Sequence, residues 1–103
     1  MDLVNYLYEQ LHTDYKITQY DYSRTWLKKD KSYFAYLKSS KSKASIDVLV
    51  AILGEAIKQR NIWEESARQK RGTDKDFYQR RADYFSEIES TAYNAIRQQA
   101  LTM

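Results

Sequence analysis

Cysteine and proline are absent from this chain of 103 residues, which has only two glycines and a single histidine, His12. Without cysteine there are no disulfides, thiolate metal sites or cysteine nucleophiles, and one histidine excludes multi-histidine metal sites. Few sharp turns can be built from Gly54 and Gly72 alone, which disfavours sandwiches, hairpin-rich barrels and phosphate-binding glycine loops. These absences favour an all-α fold that holds no metal and no cofactor.

Long hydrophobic runs are missing as well. The longest run, residues 48–53, is too short to span a bilayer. The first residues include the acid Asp2 and lack the basic region and the long apolar core of a signal peptide. A chain of this length can bury about two thirds of its surface in one core. We therefore expect one soluble, cytoplasmic domain over residues 1–103, with no membrane association.

Positive charge is concentrated in one segment of the chain. Residues 24–43 carry seven basic side chains and one acid, a balance of +6, whereas the other 83 residues together carry −3. A local positive field on a weakly acidic body is typical of a surface that binds a polyanion. The alternative is a lysine-rich surface that only contacts solvent.

Apolar residues at helical spacing predict five helices, the last two of them long. The predicted ranges are residues 2–15, 19–27, 31–39, 46–69 and 74–100. Thr18 and Ser45 are the expected N-caps of the second and fourth helices. Gly54 is expected inside the fourth helix, at a cost of about 1 kcal/mol relative to alanine. Gly72 is expected to end that helix, and residues 73–76 match a capping box for the fifth.

The second and third predicted helices are short and are joined by a basic turn. This is the element order of a helix-turn-helix DNA reader, in which the second helix of the pair enters the major groove and the first braces it and contacts phosphates. Trp26 and Phe34 are expected in the core, because they lie at helical spacing among other apolar residues. Tyr33 and Tyr36 lie on other faces of the third helix.

Two stretches of sequence resemble Cro and lambda-repressor-like regulators. Thr18-Gln19 followed by Tyr22-Ser23 is similar to the opening of that family's first reader helix. The later stretch resembles the family's S-x-x-x-I-S-x-I-E-x-G-x-R-x-P-S-x-x-x-L run through Ser32, Phe34, Ala35, Leu37, Ser45 and Leu49. The chain departs from the pattern at Lys38, Ser40 and Ala44, and it has Lys28-Lys29 in the turn where glycine is usual. The resemblance covers about residues 18–54.

The resemblance implies a small, sequence-specific DNA-binding protein, a transcriptional regulator of the kind that bacteria, phages and mobile elements carry. It implies that four residues of the groove helix contact bases: Lys31, Ser32, Tyr33 and Tyr36. It implies contacts to the DNA backbone from Gln19, Arg24, Lys28, Lys29, Lys41 and Lys43. Lysine can donate a hydrogen bond to guanine, and the serine hydroxyl can hydrogen-bond to any of the bases. Tyrosine can contact a thymine methyl or a phosphate. The alternative for the two tyrosines is that they cover the core.

Residues 55–103 form a helical extension that is longer than the single closing helix of a small reader domain. Its apolar stripe includes Phe77, Tyr84, Phe85 and Ile88, whose surface must be buried somewhere. A homodimer that spans two half-sites would use these four residues as its interface. An intramolecular bundle is the alternative.

Catalysis finds little support in the sequence, and we expect no enzyme. The paired carboxylates, such as Glu64-Glu65, lie among lysines and arginines, where helix salt bridges account for them. The alternative to DNA binding is a protein-interaction module, such as a phage-encoded inhibitor or an adaptor, that uses the same scaffold against an acidic protein partner. Ten tyrosines favour that alternative, because tyrosine is enriched at protein interfaces.

Overall fold

A computed structural model describes residues 3–40 and 43–102. In these residues the chain forms five helices and no strand, which confirms the all-α prediction. The helices are α1 (Leu3–Tyr15), α2 (an α-helical turn, Gln19–Asp21, that continues as a π-helical turn, Tyr22–Trp26), α3 (Tyr33–Ser40), α4 (Ile46–Arg68) and α5 (Gly72–Leu101). None of the helices in this part of the chain has both the length and the apolar character needed to cross a membrane.

Helices α4 and α5 form a long antiparallel hairpin. The 30 residues of α5 rise about 45 Å at the usual 1.5 Å per residue, which accounts for the 47 Å length of the molecule. Gly54 lies inside α4, as predicted, and Gly72, with φ of +65°, turns the chain into α5. No side-chain hydrogen bond caps the start of α5, so the capping box predicted at residues 73–76 is not formed.

The core lies where α1, α2 and α3 pack against the hairpin. The Tyr8 ring of α1 lies 5.4 Å from the ring of Tyr22 and 4.8 Å from that of Phe34, and Trp26 stacks on Phe85 at 6.1 Å. Trp26 and Phe34 are both buried, as predicted. Burying a side chain of this size stabilises the fold by about 1.5–3 kcal/mol. Aromatic packing therefore joins the short helices to one another and, through Trp26 and Phe85, to the hairpin.

The boundaries of α2 and α3 differ from the predicted ones. In α2 the amide of Leu27 bonds the carbonyl of Tyr22 at 3.1 Å, an i to i+5 bond that replaces the regular α-helical pattern. Helix α3 begins two residues later than predicted because residues 30–32 form a turn, in which the carboxylate of Asp30 accepts the Ser32 amide at 3.0 Å. The N-cap role of Thr18 is confirmed, since its hydroxyl accepts the Asp21 amide.

The apolar stripe of α5 is largely buried within the single chain. Phe85 and Ile88 are only 3% and 6% exposed and belong to the core, so the reason for expecting them in a dimer interface no longer holds. Tyr84 is half-buried, with its ring 5.7 Å from that of Tyr15 on α1. Phe77 alone of the four remains exposed, at 43%. The apolar stripe of α5 is thus buried mainly by packing against α1 and α2 of the same chain.

Candidate nucleic-acid interface

A buried serine joins the two short helices. The Ser23 hydroxyl of α2 has no exposed surface and accepts the backbone amide of Phe34, at the start of α3, at 3.0 Å. The Ser23 carbonyl accepts the amide of Lys29 in the turn at 2.9 Å. Tyr22, next to it, donates from its hydroxyl to the Val4 carbonyl of α1 at 2.7 Å. The angle between α2 and α3 is therefore held by buried hydrogen bonds as well as by packing.

The turn between the helices contains a left-handed residue. Lys28 has φ of +56°, a conformation that usually falls to glycine. This turn has Lys28-Lys29 where the Cro and lambda-repressor-like family usually has glycine. Asp30 then closes the turn by accepting both the amide and the hydroxyl of Ser32, at 3.0 and 2.7 Å. These two donors, together with the nearby cations Lys31 and Arg24, lower the pKa of the Asp30 carboxyl.

One side of α3 faces solvent. Tyr36 is 64% exposed, whereas Phe34 and Leu37 on the other side are buried in the core. Of the predicted base-contacting residues, Lys31, Ser32 and Tyr36 are exposed, although the Ser32 hydroxyl is already bonded to Asp30. The fourth, Tyr33, is half-buried and packs against the core.

Two of the predicted phosphate-binding lysines have carboxylate partners within the chain. Lys28 Nζ lies 3.1 Å from Glu55 Oε1, and Glu55 is only 2% exposed and also accepts a bond from Gln59. Lys29 Nζ lies 2.8 Å from Asp47 Oδ2. The hydrogen bond between them raises the pKa of Lys29 and, with Ser45, lowers that of Asp47 to about 2. A DNA phosphate would have to compete with these carboxylates.

The remaining basic residues of the segment differ in their surroundings. Arg24, Lys31 and Lys38 are exposed, and no carboxylate of residues 3–40 or 43–102 lies within ion-pair distance of them. Lys43 is exposed beside Ala95 and Gln99 in the last turns of α5. The other predicted backbone contacts are Gln19, half-buried at the start of α2, and Lys41, which lies outside the described residues.

Sequence reasoning missed two exposed residues of this surface. Tyr20 on α2 is 61% exposed, and Lys31 Nζ lies 5.9 Å from the centre of its ring. Tyr20 lies four residues before Arg24, so the two share one side of α2. Lys38 is the other; it is exposed on α3 but lies about 160° around the helix from Tyr36, at the flank of the surface. Helical spacing predicts that both are exposed, because Tyr20 points away from the buried Tyr22 on α2 and Lys38 points away from the buried Leu37 on α3. We call Tyr20, Arg24, Lys31, Ser32, Tyr36 and Lys38 the reader surface.

A family model matches residues 4–103, which is nearly the whole chain. The chain belongs to that family, a family of unknown function (DUF6626). No curated protein sequence and no solved structure matches the chain. The DUF6626 match includes the α2–turn–α3 segment together with the α4–α5 hairpin.

No cluster of three or more His, Asp or Glu side chains in residues 3–40 and 43–102 is arranged to hold a metal ion. His12 is exposed, stacks on Tyr8 at 5.5 Å, and has Nδ1 2.9 Å from the Ile17 carbonyl oxygen. Glu65 pairs with Arg68 at 2.6 Å, the kind of helix salt bridge expected from the sequence.

Proposed function

We propose that this chain is a small DNA-binding protein that places α3 in the major groove of duplex DNA, as a sequence-specific transcriptional regulator. The observation that carries the proposal is the reader surface: the outward side and flank of α3, the turn before it and the adjoining side of α2 are exposed, basic and aromatic. Arg24, Lys31 and Lys38 lie there without carboxylate partners in the described residues. The major groove is about 12 Å wide and admits one α-helix.

The reader surface offers groups for both kinds of DNA contact. Lys31 can donate to guanine O6 and N7, and Tyr36 can contact a thymine methyl. Arg24 and Lys38 are suited to phosphates. Contacts to phosphates fix the protein's orientation on the duplex and carry no sequence information. The buried bond from Phe34 to Ser23 supports the proposal, because it holds α3 in a fixed orientation on α2.

The test compares two variants that lose the same charge from different places. The reader-surface variant replaces Arg24, Lys31 and Lys38 by alanine. The control variant replaces Lys70, Lys75 and Arg80 by alanine, three residues that are exposed around the turn between α4 and α5. Each change lowers the formal net charge from +3 to 0. Binding to a labelled random-sequence duplex is measured by fluorescence anisotropy over a salt series.

We expect the reader-surface variant to bind more weakly and its log–log salt slope to fall by about 0.9 for each lost phosphate contact. The control variant should keep the slope of the unaltered chain. Equal slopes in the two variants, or no duplex binding by the unaltered chain at low salt, would reject the proposal.

A protein-interaction module directed at an acidic protein partner is the second candidate. The observation that favours it is the exposure of Tyr20 and Tyr36, at 61% and 64%, beside cations that have no carboxylate partner among the described residues. Tyrosine and arginine are enriched at protein interfaces. A labelled acidic peptide measured beside the duplex in the same anisotropy assay distinguishes the two candidates, since this one predicts binding to the peptide and none to duplex DNA.

A further inference from the structure

A cleft with an aromatic lining opens where α1 and α2 meet the α4–α5 hairpin. It encloses about 240 Å³. Trp26 of α2 and Phe85 of α5 are almost fully buried beneath it. Its partly buried lining includes Tyr15 at the end of α1, Ile17 after it, and Gln59 and Trp63 on α4. We call this the aromatic cleft.

Four aromatic rings, each from a different helix, are held together around the aromatic cleft. The ring of Phe85 lies 6.1 Å from that of Trp26 and 5.7 Å from that of Tyr15. Trp63 follows Gln59 by four residues, so the two share one side of α4. An apolar cavity of about 150 Å³ is enough to hold benzene. The cleft therefore has room for one aromatic ring with a short substituent.

Arg81 lies at one end of the aromatic cleft. It precedes Phe85 by one helical turn, about 6 Å along α5. Its guanidinium carbon lies 4.8 Å from the centre of the Tyr15 ring and 5.1 Å from that of Phe77. Arg81 is partly buried, yet it has neither an ion pair nor a hydrogen bond with any residue that the structure describes. The guanidinium donors are therefore left without an acceptor in the chain.

The carboxylates around the aromatic cleft do not neutralise Arg81. Glu55 and Glu64 lie beside the lining residues of α4, and each already pairs with another cation. Asp14 at the end of α1 and Asp83 on α5 are exposed and lie outside ion-pair distance of Arg81. Among the described residues, this end of the cleft thus has a positive charge to which no anion is paired.

We propose that the aromatic cleft binds a small molecule with one aromatic ring and a carboxylate on a short arm. The ring packs against Trp63 and Phe85, since offset and edge-to-face contacts between aromatic rings are favourable. The carboxylate accepts hydrogen bonds from Arg81, whose planar guanidinium matches its two oxygens. An aromatic lining by itself also suits an alkylammonium ion, but the charge of Arg81 opposes a cation. This proposal does not depend on DNA binding.

The test titrates the full chain with phenylacetate and with three matched ligands. Phenylacetamide keeps the ring without the charge, acetate keeps the charge without the ring, and phenethylamine joins the ring to a positive charge. Calorimetry gives the affinities. Tryptophan fluorescence reports the place of binding, because Trp26 and Trp63 are the only tryptophans of the chain and both line the aromatic cleft.

Two variants then separate the role of Arg81 from that of the overall charge. Arg81→Gln removes the guanidinium group at the end of the cleft. Arg80→Gln is the matched control, because Arg80 is exposed and lies about 100° away around α5. Each change lowers the formal net charge from +3 to +2. Circular dichroism confirms that both variants remain helical, and the comparison of ligands on the unaltered chain does not depend on either variant.

We expect phenylacetate to bind saturably, to change the tryptophan fluorescence, and to bind about tenfold or more tightly than each matched ligand. Arg81→Gln should weaken its binding by about 10- to 100-fold, through the loss of hydrogen bonds to a charged group, and Arg80→Gln by about twofold at most. The absence of saturable binding up to about 10 mM would overturn the proposal. It would also be overturned by equal affinity for phenylacetamide, by tighter binding of phenethylamine, or by equal affinities of the two variants.

Discussion

Lys28 is a residue at which local backbone preference and a tertiary contact conflict. Its φ of +56° costs a residue with a Cβ about 1–2 kcal/mol relative to the right-handed helical conformation. Its ammonium group, however, pairs with the buried carboxylate of Glu55. Leaving a buried carboxylate without its cation is unfavourable, which is a physical reason for a lysine at a position suited to glycine.

Replacing Lys28 by alanine or by glycine separates these two effects. Both variants lose the ion pair, but only alanine keeps the backbone strain, so we expect Lys28→Gly to have a free energy of unfolding about 1 kcal/mol higher than Lys28→Ala. Urea unfolding gives both values. At Lys38, inside the right-handed α3, the order should be reversed, because glycine weakens a regular helix. The same order at both positions would contradict the strain assigned to Lys28.

At the scale of elements, α3 depends on α2. Its eight residues are too few to form a stable helix alone in water. Packing of Phe34 and Leu37 supplies part of what it lacks, and the hydroxyl of Ser23 satisfies the amide of Phe34 at its first turn. Because Ser23 lies in the π-helical turn of α2, the irregular turn and the position of α3 are directly connected.

Ser23→Ala should destabilise the protein by about 1–3 kcal/mol, because it leaves the buried amide of Phe34 without an acceptor. The free energy of unfolding in urea is the measurement. Ser90→Ala is the control, since Ser90 is exposed on α5 and its replacement should change stability by less than about 0.5 kcal/mol. Equal values for the two variants would show that the hydroxyl of Ser23 does not support α3.

For the whole molecule, two ion pairs tie the turn between α2 and α3 to α4. Lys28 bonds Glu55 and Lys29 bonds Asp47, and these partners are separated by 27 and 18 residues along the chain. The reader surface is therefore attached to the hairpin by charged contacts as well as by the aromatic core. A fall in pH that protonates Asp47 should weaken this attachment.

Asp47 provides the clearest case of such pH dependence. Its pKa falls from 3.8 to about 2 in the folded chain, chiefly through the hydrogen bond from Lys29. A lowered carboxyl pKa contributes stability that is fully present well above pH 3.8 and is lost as the pH falls toward 2. We therefore expect the unaltered chain to lose more stability than Asp47→Asn over this interval.

Thermal unfolding at several pH values between 5 and 2 gives the comparison. Lys29→Gln should reduce the acid-dependent loss in the same way, and the double variant should add little to either single change, because the two residues form one interaction. If the effects of the two single variants simply add, Asp47 owes its pH dependence to a group other than Lys29.

The sequence alone determined the helices and much of the core, because these depend on neighbours three or four residues away. The cap at Thr18, the continuity of α4 through Gly54, the break at Gly72 and the burial of Trp26 and Phe34 all follow from local spacing and propensity. The exposure of Tyr36 follows in the same way, since it faces away from Phe34 and Leu37.

The tertiary structure decided which polar and apolar groups are left free. Lys28 and Lys29 looked like free cations, and they acquired partners only because α4 brings Glu55 and Asp47 beside the turn. The apolar stripe predicts Phe85 and Ile88 in a dimer interface, and packing against α1 and α2 buries them in the core instead. Spacing along a helix defines which side a residue occupies, but what covers that side is decided by contacts between segments distant in sequence, which local periodicity does not encode.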